Sequence, residues 1–200
     1  MDRFINRSFA LELVRVTEAA ALQAGRWMGR GQKNLADKAA VDAMRMVLNT
    51  IPMDGVVVIG EGTKDQAPML YEGEFVGSAS EPKTDIAVDP IDGTRLLSQG
   101  MAGSIATLAV SERGTMYESP YVVYMDKIVV GESAAGAVSI NGTVGDNIRN
   151  VAAKLNKSVN DVTVVLLDRP RHTEIAEQIR EAGARIRFIM DGDVAGAVMA

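Results

Sequence analysis

The chain has 200 residues, of which 26 are acidic and 21 are Lys or Arg, so its net charge near neutral pH is −5. It contains no cysteine and a single histidine, which excludes disulfides, thiolate nucleophiles, zinc fingers and iron–sulfur ligation and leaves oxygen atoms to hold any metal. Because phosphate backbones are bound by clustered Lys and Arg, an acidic chain without a basic cluster is not expected to bind nucleic acid.

No targeting or membrane segment is predicted. The first ten residues carry scattered charges and lack the apolar core of a signal peptide, and the longest apolar runs, such as residues 56–59, are too short to cross a bilayer. We therefore expect a folded, soluble, cytoplasmic protein with no membrane partner.

The first fifty residues have helical spacing of their apolar side chains. It predicts one helix over residues 9–28, capped by Ser8 and ended by Gly29 and Gly31, and a second over residues 35–49. Asn34 and Asp37 resemble a capping box at the start of the second helix. Taken alone, Asp37 is a helix N-terminal acid that complements the macrodipole.

After Gly55 the pattern changes to short β-branched runs, which predict strands of one sheet at residues 56–59, 74–76, 84–88, 105–110 and 125–130. A helix over 145–155 follows. A strand over 162–167, a helix over 174–181 and a strand over 185–190 then form a parallel βαβ unit. The prediction is an α/β fold with an αβ domain at 1–157 and the start of a βαβ domain at 158–200.

Acidic residues follow the predicted strands where ligands bind in open α/β sheets. Glu61 follows the first strand, Asp89 follows the third, and Pro90 and a turn at Gly93 would allow Asp92 to converge on Asp89. Converging carboxylates repel unless a cation lies between them. The alternative is a solvated Asp-Gly turn. Together the acids predict a Mg²⁺ or Mn²⁺ site formed by Asp37, Glu61, Asp89 and Asp92.

Further polar residues are candidates for binding an anion. Gly93 and Thr94 could present backbone N–H groups, and the Thr94 hydroxyl could orient a water beside the metals. Arg169 and Arg171, held apart by Pro170, have the chemistry expected for a phosphate, although a solvated loop is the alternative. The Asp191-Gly192-Asp193 stretch could accept hydrogen bonds from sugar hydroxyls or cap the last helix. We expect His172 to cap or pack rather than to catalyse.

These residues carry a family resemblance. The stretch Asp89-Pro90-Ile91-Asp92-Gly93-Thr94, with Gly60-Glu61 upstream, resembles the lithium-sensitive, metal-dependent sugar and inositol phosphatase superfamily. Nearly the whole chain is similar to class II fructose-1,6-bisphosphatases, with supporting stretches at residues 16–20, 27–31, 33–37, 58–62, 67–71, 146–150 and 170–172. The resemblance implies a layered α-β-α-β-α sandwich and hydrolysis of the 1-phosphate of fructose 1,6-bisphosphate, a step of gluconeogenesis.

By position, the resemblance also implies residue roles. The metal ligands would be Asp37, Glu61, Asp89 and Asp92, binding Mn²⁺ or Mg²⁺, with Asp37, Glu61 and Thr94 acting in catalysis. The sugar bisphosphate would be bound by Asp92, Gly93, Thr94, Tyr124, Arg169, Pro170, Arg171, Asp191, Gly192 and Asp193. We expect a homo-oligomer, a dimer or a tetramer.

The chain departs from the family pattern in a few places. Members often have Glu at the position of Asp92, an acid at Thr63 and Lys at Arg169, and they continue beyond Ala200 into a part with a Gly-rich substrate loop and a Glu metal ligand. A chain truncated in its second domain is therefore expected. The alternative functions are a sedoheptulose 1,7-bisphosphatase, an inositol phosphatase, or a catalytically incomplete sugar-phosphate-binding fragment.

Overall fold

A computed structural model of the chain describes residues 7–62, 70–118, 121 and 124–200. The chain divides into two compact units, Met1–Pro120 and Tyr121–Ala200. The division comes earlier than the boundary expected at 157/158. The physical reason is that the helix at Val144–Lys154 buries Ile148 and Ala152 against Ile179 of the second unit.

Two long helices cover one side of the first unit. Helix α1 spans Arg7–Gly25 and α2 spans Lys33–Leu48, and their buried stripes include Val16, Ala20, Ala40 and Met44. Alanines at the contact let the two helices approach closely, and α1 also packs on the sheet. Ser8 lies inside α1 rather than capping it.

The predicted capping box of α2 is wrong. The N-cap is Gln32, which has non-helical backbone angles, and Asn34 is already the second helical residue. Asp37 consequently lies in the second turn of α2, where its carboxylate has no capping role.

The first unit contains a four-stranded mixed sheet. Strand β1 spans Asp54–Ile59, β2 Phe75–Val76, β3 Lys83–Asp92 and β4 Ile105–Glu112, in the order β2-β1-β3-β4. The two central strands, β1 and β3, are parallel, while the outer pairs are antiparallel. This mixed sheet confirms the expected α/β fold, and the pairing of Ile59 with Ala87 places the carboxyl ends of β1 and β3 side by side.

Strand β3 does not end at Val88, as the sequence predicts, but continues through Pro90 to Asp92. It accommodates the proline with a bulge, since Asp89 pairs with Thr107 while Asp92 pairs with Ile105. The step from Asp89 to Asp92 thus covers three residues of β3, whereas the step between their partners on β4 covers two. Because directly opposed residues share a side of the sheet, this extra residue brings Asp89 and Asp92 to the same side. The short helix α3, Thr94–Gln99, follows at once.

The second unit contains the predicted βαβ unit. Helix α4 spans Val144–Lys154, strand β5 Thr163–Leu167, helix α5 Thr173–Glu181, strand β6 Arg185–Ile189 and helix α6 Asp193–Val198. Strands β5 and β6 are parallel, as expected. Short 3₁₀ turns occur at Glu132–Ala134, Val159–Asp161 and Pro170–His172.

The strand predicted at 125–130 is wrong, because residues 124–130 form neither helix nor strand. The β-branched composition favoured a strand, but Met125, Ile128 and Val129 are all exposed. The run therefore has no buried apolar face to hold it in a sheet. Within the described ranges, no helix is long and apolar enough to cross a membrane.

Candidate metal and phosphate site

Three acidic side chains come together at the carboxyl edge of β1 and β3. Glu61 lies two residues beyond β1, and Asp89 is the last paired residue of β3 before its bulge. Asp37 lies on α2, which packs against β3 and α3. The parallel pairing of Ile59 with Ala87 places Glu61 beside Asp89. The raised pKa of Glu61, to which the charges of Asp89 and Asp37 both contribute, agrees with this placement.

The backbone around Glu61 is fixed by a close approach that only glycine permits. A Cβ on Gly60 would lie 2.2 Å from the carbonyl oxygen of Leu70 and 2.8 Å from Cγ1 of Val57. With glycine there, the N–H of Glu61 donates to Leu70 O at 2.9 Å. Leu70 is itself fully buried, so the segment that holds Glu61 is anchored in the core.

The electrostatics of the cluster disfavour its fully ionised form. Burial, together with the charges of Asp89 and Asp37, raises the pKa of Glu61 to about 7. Burial likewise raises the pKa of Asp37, although the Thr94 hydroxyl and the Lys33 charge oppose that change. A site that resists three negative charges is suited to a cation.

Asp37 provides a second observation that favours a cation at this edge. Its Oδ1 is buried and has no hydrogen-bond partner among the residues that the structure describes. A buried, unpartnered carboxylate oxygen costs free energy. The all-oxygen donor set and this orphaned atom fit a hard divalent cation such as Mg²⁺ or Mn²⁺.

The carboxylates do not yet form a coordination shell. In the described part of the chain, no three acidic or histidine side chains converge closely enough to hold one ion. Asp92 lies past the bulge and is only 4 % exposed. An ion bound by three of these groups would have to draw their carboxylates closer together, and its positive charge would offset their mutual repulsion.

The turn after β3 places Thr94 against Asp37. Gly93 has φ of 91°, a left-handed conformation that favours glycine, and it starts α3. The Thr94 Oγ1 lies 3.1 Å from the carbonyl oxygen of Ile91 and also within hydrogen-bonding reach of the Asp37 carboxylate. Since a hydroxyl has one proton, it can donate to only one of these two acceptors at a time.

Lys33 is a member of the cluster that the sequence reasoning missed. It is the first residue of α2 and its charge acts on Asp37. The signal was present in the sequence, because Lys33 and Asp37 are four residues apart and therefore share a helical face.

The predicted residues of the second unit form their own group around the β5 and β6 ends. Arg169 donates to the carbonyl oxygen of Met190 at 2.6 Å and to Asp191 Oδ1 at 3.3 Å. Its guanidinium therefore ties the two strand ends together. Arg171 instead stacks over the Tyr124 ring, 4.7 Å from the ring centroid, and Tyr124 is 74 % exposed.

The remaining predicted residues have structural positions. Pro170 begins a 3₁₀ turn, and His172 Nδ1 lies 2.8 Å from the carbonyl oxygen of Leu167, which agrees with the packing role expected for it. Gly192, with φ of 84°, is the N-cap of α6, so Asp193 is the first helical residue and makes no side-chain cap. Asp193 pairs with Lys127 at 3.7 Å.

A buried carboxylate at the opposite end of β3 has a purely structural environment. Asp85 is 2 % exposed, and its Oδ2 accepts hydrogen bonds from the backbone N–H groups of Gly114, Thr115 and Met116 at 2.6–3.1 Å. Arg113 lies beside it and also bonds Asp54. Sequence reasoning passed over Asp85 because the turn that it anchors is far away in the chain.

Comparison with known proteins adds to this geometry. A sequence model of the family described as bacterial fructose-1,6-bisphosphatase, glpX-encoded, matches residues 7–200. The chain is 47% identical over 195 residues to fructose-1,6-bisphosphatase 1 class 2 of Escherichia coli strain K12, and equally to a class 2 fructose-1,6-bisphosphatase of Shigella flexneri. In both comparisons the aligned part is 98% of this chain and 58% of the relative, so the chain spans little more than half the length of these relatives. With the matching model covering nearly all of its residues, the chain belongs to the glpX-encoded family of bacterial fructose-1,6-bisphosphatases.

Proposed function

We propose that this chain carries out the metal-dependent hydrolysis of the 1-phosphate of fructose 1,6-bisphosphate, yielding fructose 6-phosphate and inorganic phosphate. The observation that carries the proposal is the coupled set of Glu61, Asp89 and Asp37 at the edge of β1 and β3. The substrate in this proposal is the one in the names of the relatives. We further propose a gluconeogenic role in the cytoplasm.

The four carboxylates Asp37, Glu61, Asp89 and Asp92 are the proposed metal ligands. When bound, Mn²⁺ or Mg²⁺ would supply Lewis-acid stabilisation of phosphate charge and lower the pKa of a bound water. The chain's own contribution is to hold the acids at one edge of the sheet, where the buried Asp37 Oδ1 has no hydrogen-bond partner among the described residues. With a cation held by these residues, the local field would favour a polyanion even though the chain is acidic.

Thr94 is proposed to orient the attacking water. Its hydroxyl can donate to Asp37 or to Ile91 O, and in either case an Oγ1 lone pair remains available to accept a hydrogen bond from water. A water held in line with the scissile bond is already positioned for attack, so that the reaction does not depend on a random collision with the correct geometry. Gly93 lets the chain turn tightly enough to deliver Thr94 beside Asp37.

In the second unit, Arg171 and Tyr124 are proposed to hold the phosphate that is not cleaved. Stacking on the ring orients the guanidinium and leaves its edge for bidentate contact with an anion. Arg169 and Asp191 are proposed to shape the same subsite, with Pro170, Gly192 and Asp193 fixing the backbone around it.

Phosphate release by the purified protein tests the function. Fructose 1,6-bisphosphate, sedoheptulose 1,7-bisphosphate and an inositol monophosphate are each offered with Mn²⁺, with Mg²⁺ and with chelator. We expect release from fructose 1,6-bisphosphate in the presence of metal, and its loss in Asp89→Ala. Release from inositol monophosphate alone, or release that survives the chelator, would refute the proposal.

The same preparation addresses the finer assignments. The ratio of turnover with Mn²⁺ to that with Mg²⁺ assigns the metal, and light scattering after gel filtration gives the oligomeric state, for which we propose a dimer or a tetramer.

A further inference from the structure

An ion pair outside the carboxylate cluster links two of the elements that build it. The guanidinium of Arg45, on α2, donates two hydrogen bonds to the Glu74 carboxylate, from Nε to Oε1 at 2.6 Å and from Nη2 to Oε2 at 3.0 Å. The Arg45 side chain is 24% exposed and that of Glu74 is 11% exposed. A bidentate, mostly buried ion pair fixes both the distance between its two side chains and their relative orientation, which a single exposed ion pair does not.

Glu74 is connected to Glu61 through backbone hydrogen bonds of the residues between them. Glu74 Oε2 also accepts the Tyr71 N–H at 3.3 Å, and the Glu74 N–H donates to Tyr71 O at 3.0 Å, which closes a tight turn. The residue before Tyr71 is Leu70, whose carbonyl oxygen accepts the Glu61 N–H at 2.9 Å. The Glu74 carboxylate is therefore one turn away from the bond that places Glu61.

The Arg45 side leads to Asp37. Both residues lie on α2, about two turns apart. The turn of Glu74 is also bonded to β1, with Val57 N–H donating to Glu74 O at 2.9 Å and Gly73 N–H donating to Val57 O at 2.7 Å. The pair thus clamps α2 to the turn and to β1, the elements that present Asp37 and Glu61.

We propose that the Arg45–Glu74 pair is a positioning device that sets the spacing of Glu61 and Asp37 and thereby the affinity of the site for a divalent cation. Neither side chain is a ligand in this proposal. It rests on the proposed function for the identity of the ion. Groups hydrogen-bonded directly to metal ligands typically contribute about 10–100-fold to metal affinity, and the expected effect of this more distant pair is at the lower end of that range.

The test measures Mn²⁺ binding directly, by the electron paramagnetic resonance signal of unbound Mn²⁺, with no substrate present. We expect Arg45→Met and Glu74→Ala to weaken Mn²⁺ binding by about tenfold or more. Glu74→Gln, which keeps the acceptor for Tyr71 N–H and one bond to Arg45, should lose less. Arg15→Met is the matched control, because Arg15 pairs with Glu18 on the exposed face of α1, and its Mn²⁺ affinity should be unchanged.

A double-mutant comparison separates positioning from general loss of structure. If the pair acts through Glu61, Arg45→Met should add little to the loss already caused by Glu61→Gln. At saturating Mn²⁺, phosphate release by Arg45→Met should approach that of the unsubstituted protein. Should Arg45→Met fail to fold, Arg45→Lys and Glu74→Gln give the same comparison.

The outcomes of the test are distinguishable from failure of the proposed function. If the unsubstituted protein binds no Mn²⁺, the metal site itself is refuted. If it binds Mn²⁺ and the variants at Arg45 and Glu74 bind it equally well, or if their effects add fully to that of Glu61→Gln, the positioning role is overturned and the pair is only a structural contact.

Discussion

Gly60 and Leu70 approach so closely that a Cβ on Gly60 would lie 2.2 Å from the Leu70 carbonyl oxygen. No side-chain rotation relieves this contact, since the obstacle is backbone. We therefore expect Gly60→Ala to displace the turn that carries Glu61, to lower the free energy of unfolding by about 2–4 kcal/mol, and to weaken Mn²⁺ binding. Urea denaturation and the electron paramagnetic resonance titration measure the two effects.

Gly25→Ala is the control for this prediction, because a Cβ at Gly25 would meet nothing within 4 Å at the end of α1. It should leave stability unchanged or raise it by a few tenths of a kcal/mol to about 1 kcal/mol. Equal stability of Gly60→Ala and Gly25→Ala would contradict the close approach.

The second prediction concerns pH and metal-free stability. The pKa of Glu61 is raised from 4.5 to about 7 by burial and by Asp89 and Asp37, so between these values the folded state holds a proton that the unfolded state has released. Stability should therefore fall as pH rises from about 4.5 to about 7. Thermal unfolding in chelator at a series of pH values measures this.

Glu61→Gln checks the source of the trend. It removes the ionisable group, so the metal-free variant should lose most of this pH dependence and be more stable than the unsubstituted protein above pH 7. In the unsubstituted protein, Mn²⁺ should bind more weakly as pH falls through about 7, because the cation competes with the proton on Glu61. A stability that rises from pH 5 to pH 8 in chelator would show that burial of Glu61 does not dominate.

Sequence reasoning predicted the parts of this fold that local pattern controls. Helical periodicity gave α1 and α2, and the β-branched runs gave all four strands of the sheet together with β5 and β6. The strand expected at 125–130 failed because composition does not reveal whether a run finds a partner. The start of α2 was misplaced because Gln32 is not a characteristic N-cap residue.

For the candidate site, the sequence predicted that acidic residues following the strands, Glu61 and Asp89 among them, cluster at one edge of the sheet. The pairing of Arg45 with Glu74 was not predicted, because it joins residues of opposite charge 29 positions apart with no local motif. The bulge at Pro90 was likewise hidden, since only the register with Thr107 and Ile105 defines it.

The third prediction separates a structural carboxylate from the proposed metal ligands. Asp85→Ala removes the shared acceptor of three backbone N–H groups and one of the two carboxylates that Arg113 contacts, which should lower the free energy of unfolding by about 3 kcal/mol. Because Asp85 lies at the opposite end of β3 from the cluster, the folded fraction should keep its Mn²⁺ affinity. Asp89→Ala should do the reverse and lose Mn²⁺ binding with little loss of stability. Identical behaviour of the two variants would contradict this division.

The fourth prediction compares the two arginines that flank Pro170. Arg169 is bonded to Met190 O and Asp191, so Arg169→Ala should loosen the ends of β5 and β6 and lower the free energy of unfolding by about 1–3 kcal/mol. Arg171 lies on an exposed ring and makes no hydrogen bond within the described ranges, so Arg171→Ala should leave stability within about 0.5 kcal/mol. Its expected effect is on substrate: a phosphate contact made equally in the ground and transition states raises KM at nearly constant kcat.

Steady-state kinetics on fructose 1,6-bisphosphate, with urea denaturation of both variants, checks the comparison. Tyr124→Phe keeps the ring under Arg171 and should behave like the unsubstituted protein, whereas Tyr124→Ala should raise KM in the same direction as Arg171→Ala, since the guanidinium loses its platform. An Arg171→Ala enzyme with unaltered KM would remove Arg171 from the phosphate subsite, and an unaltered KM in Tyr124→Ala alone would restrict the role to Arg171. Because Arg171 is placed by stacking and Arg169 by hydrogen bonds to the strand ends, the two substitutions are expected to separate binding from stability.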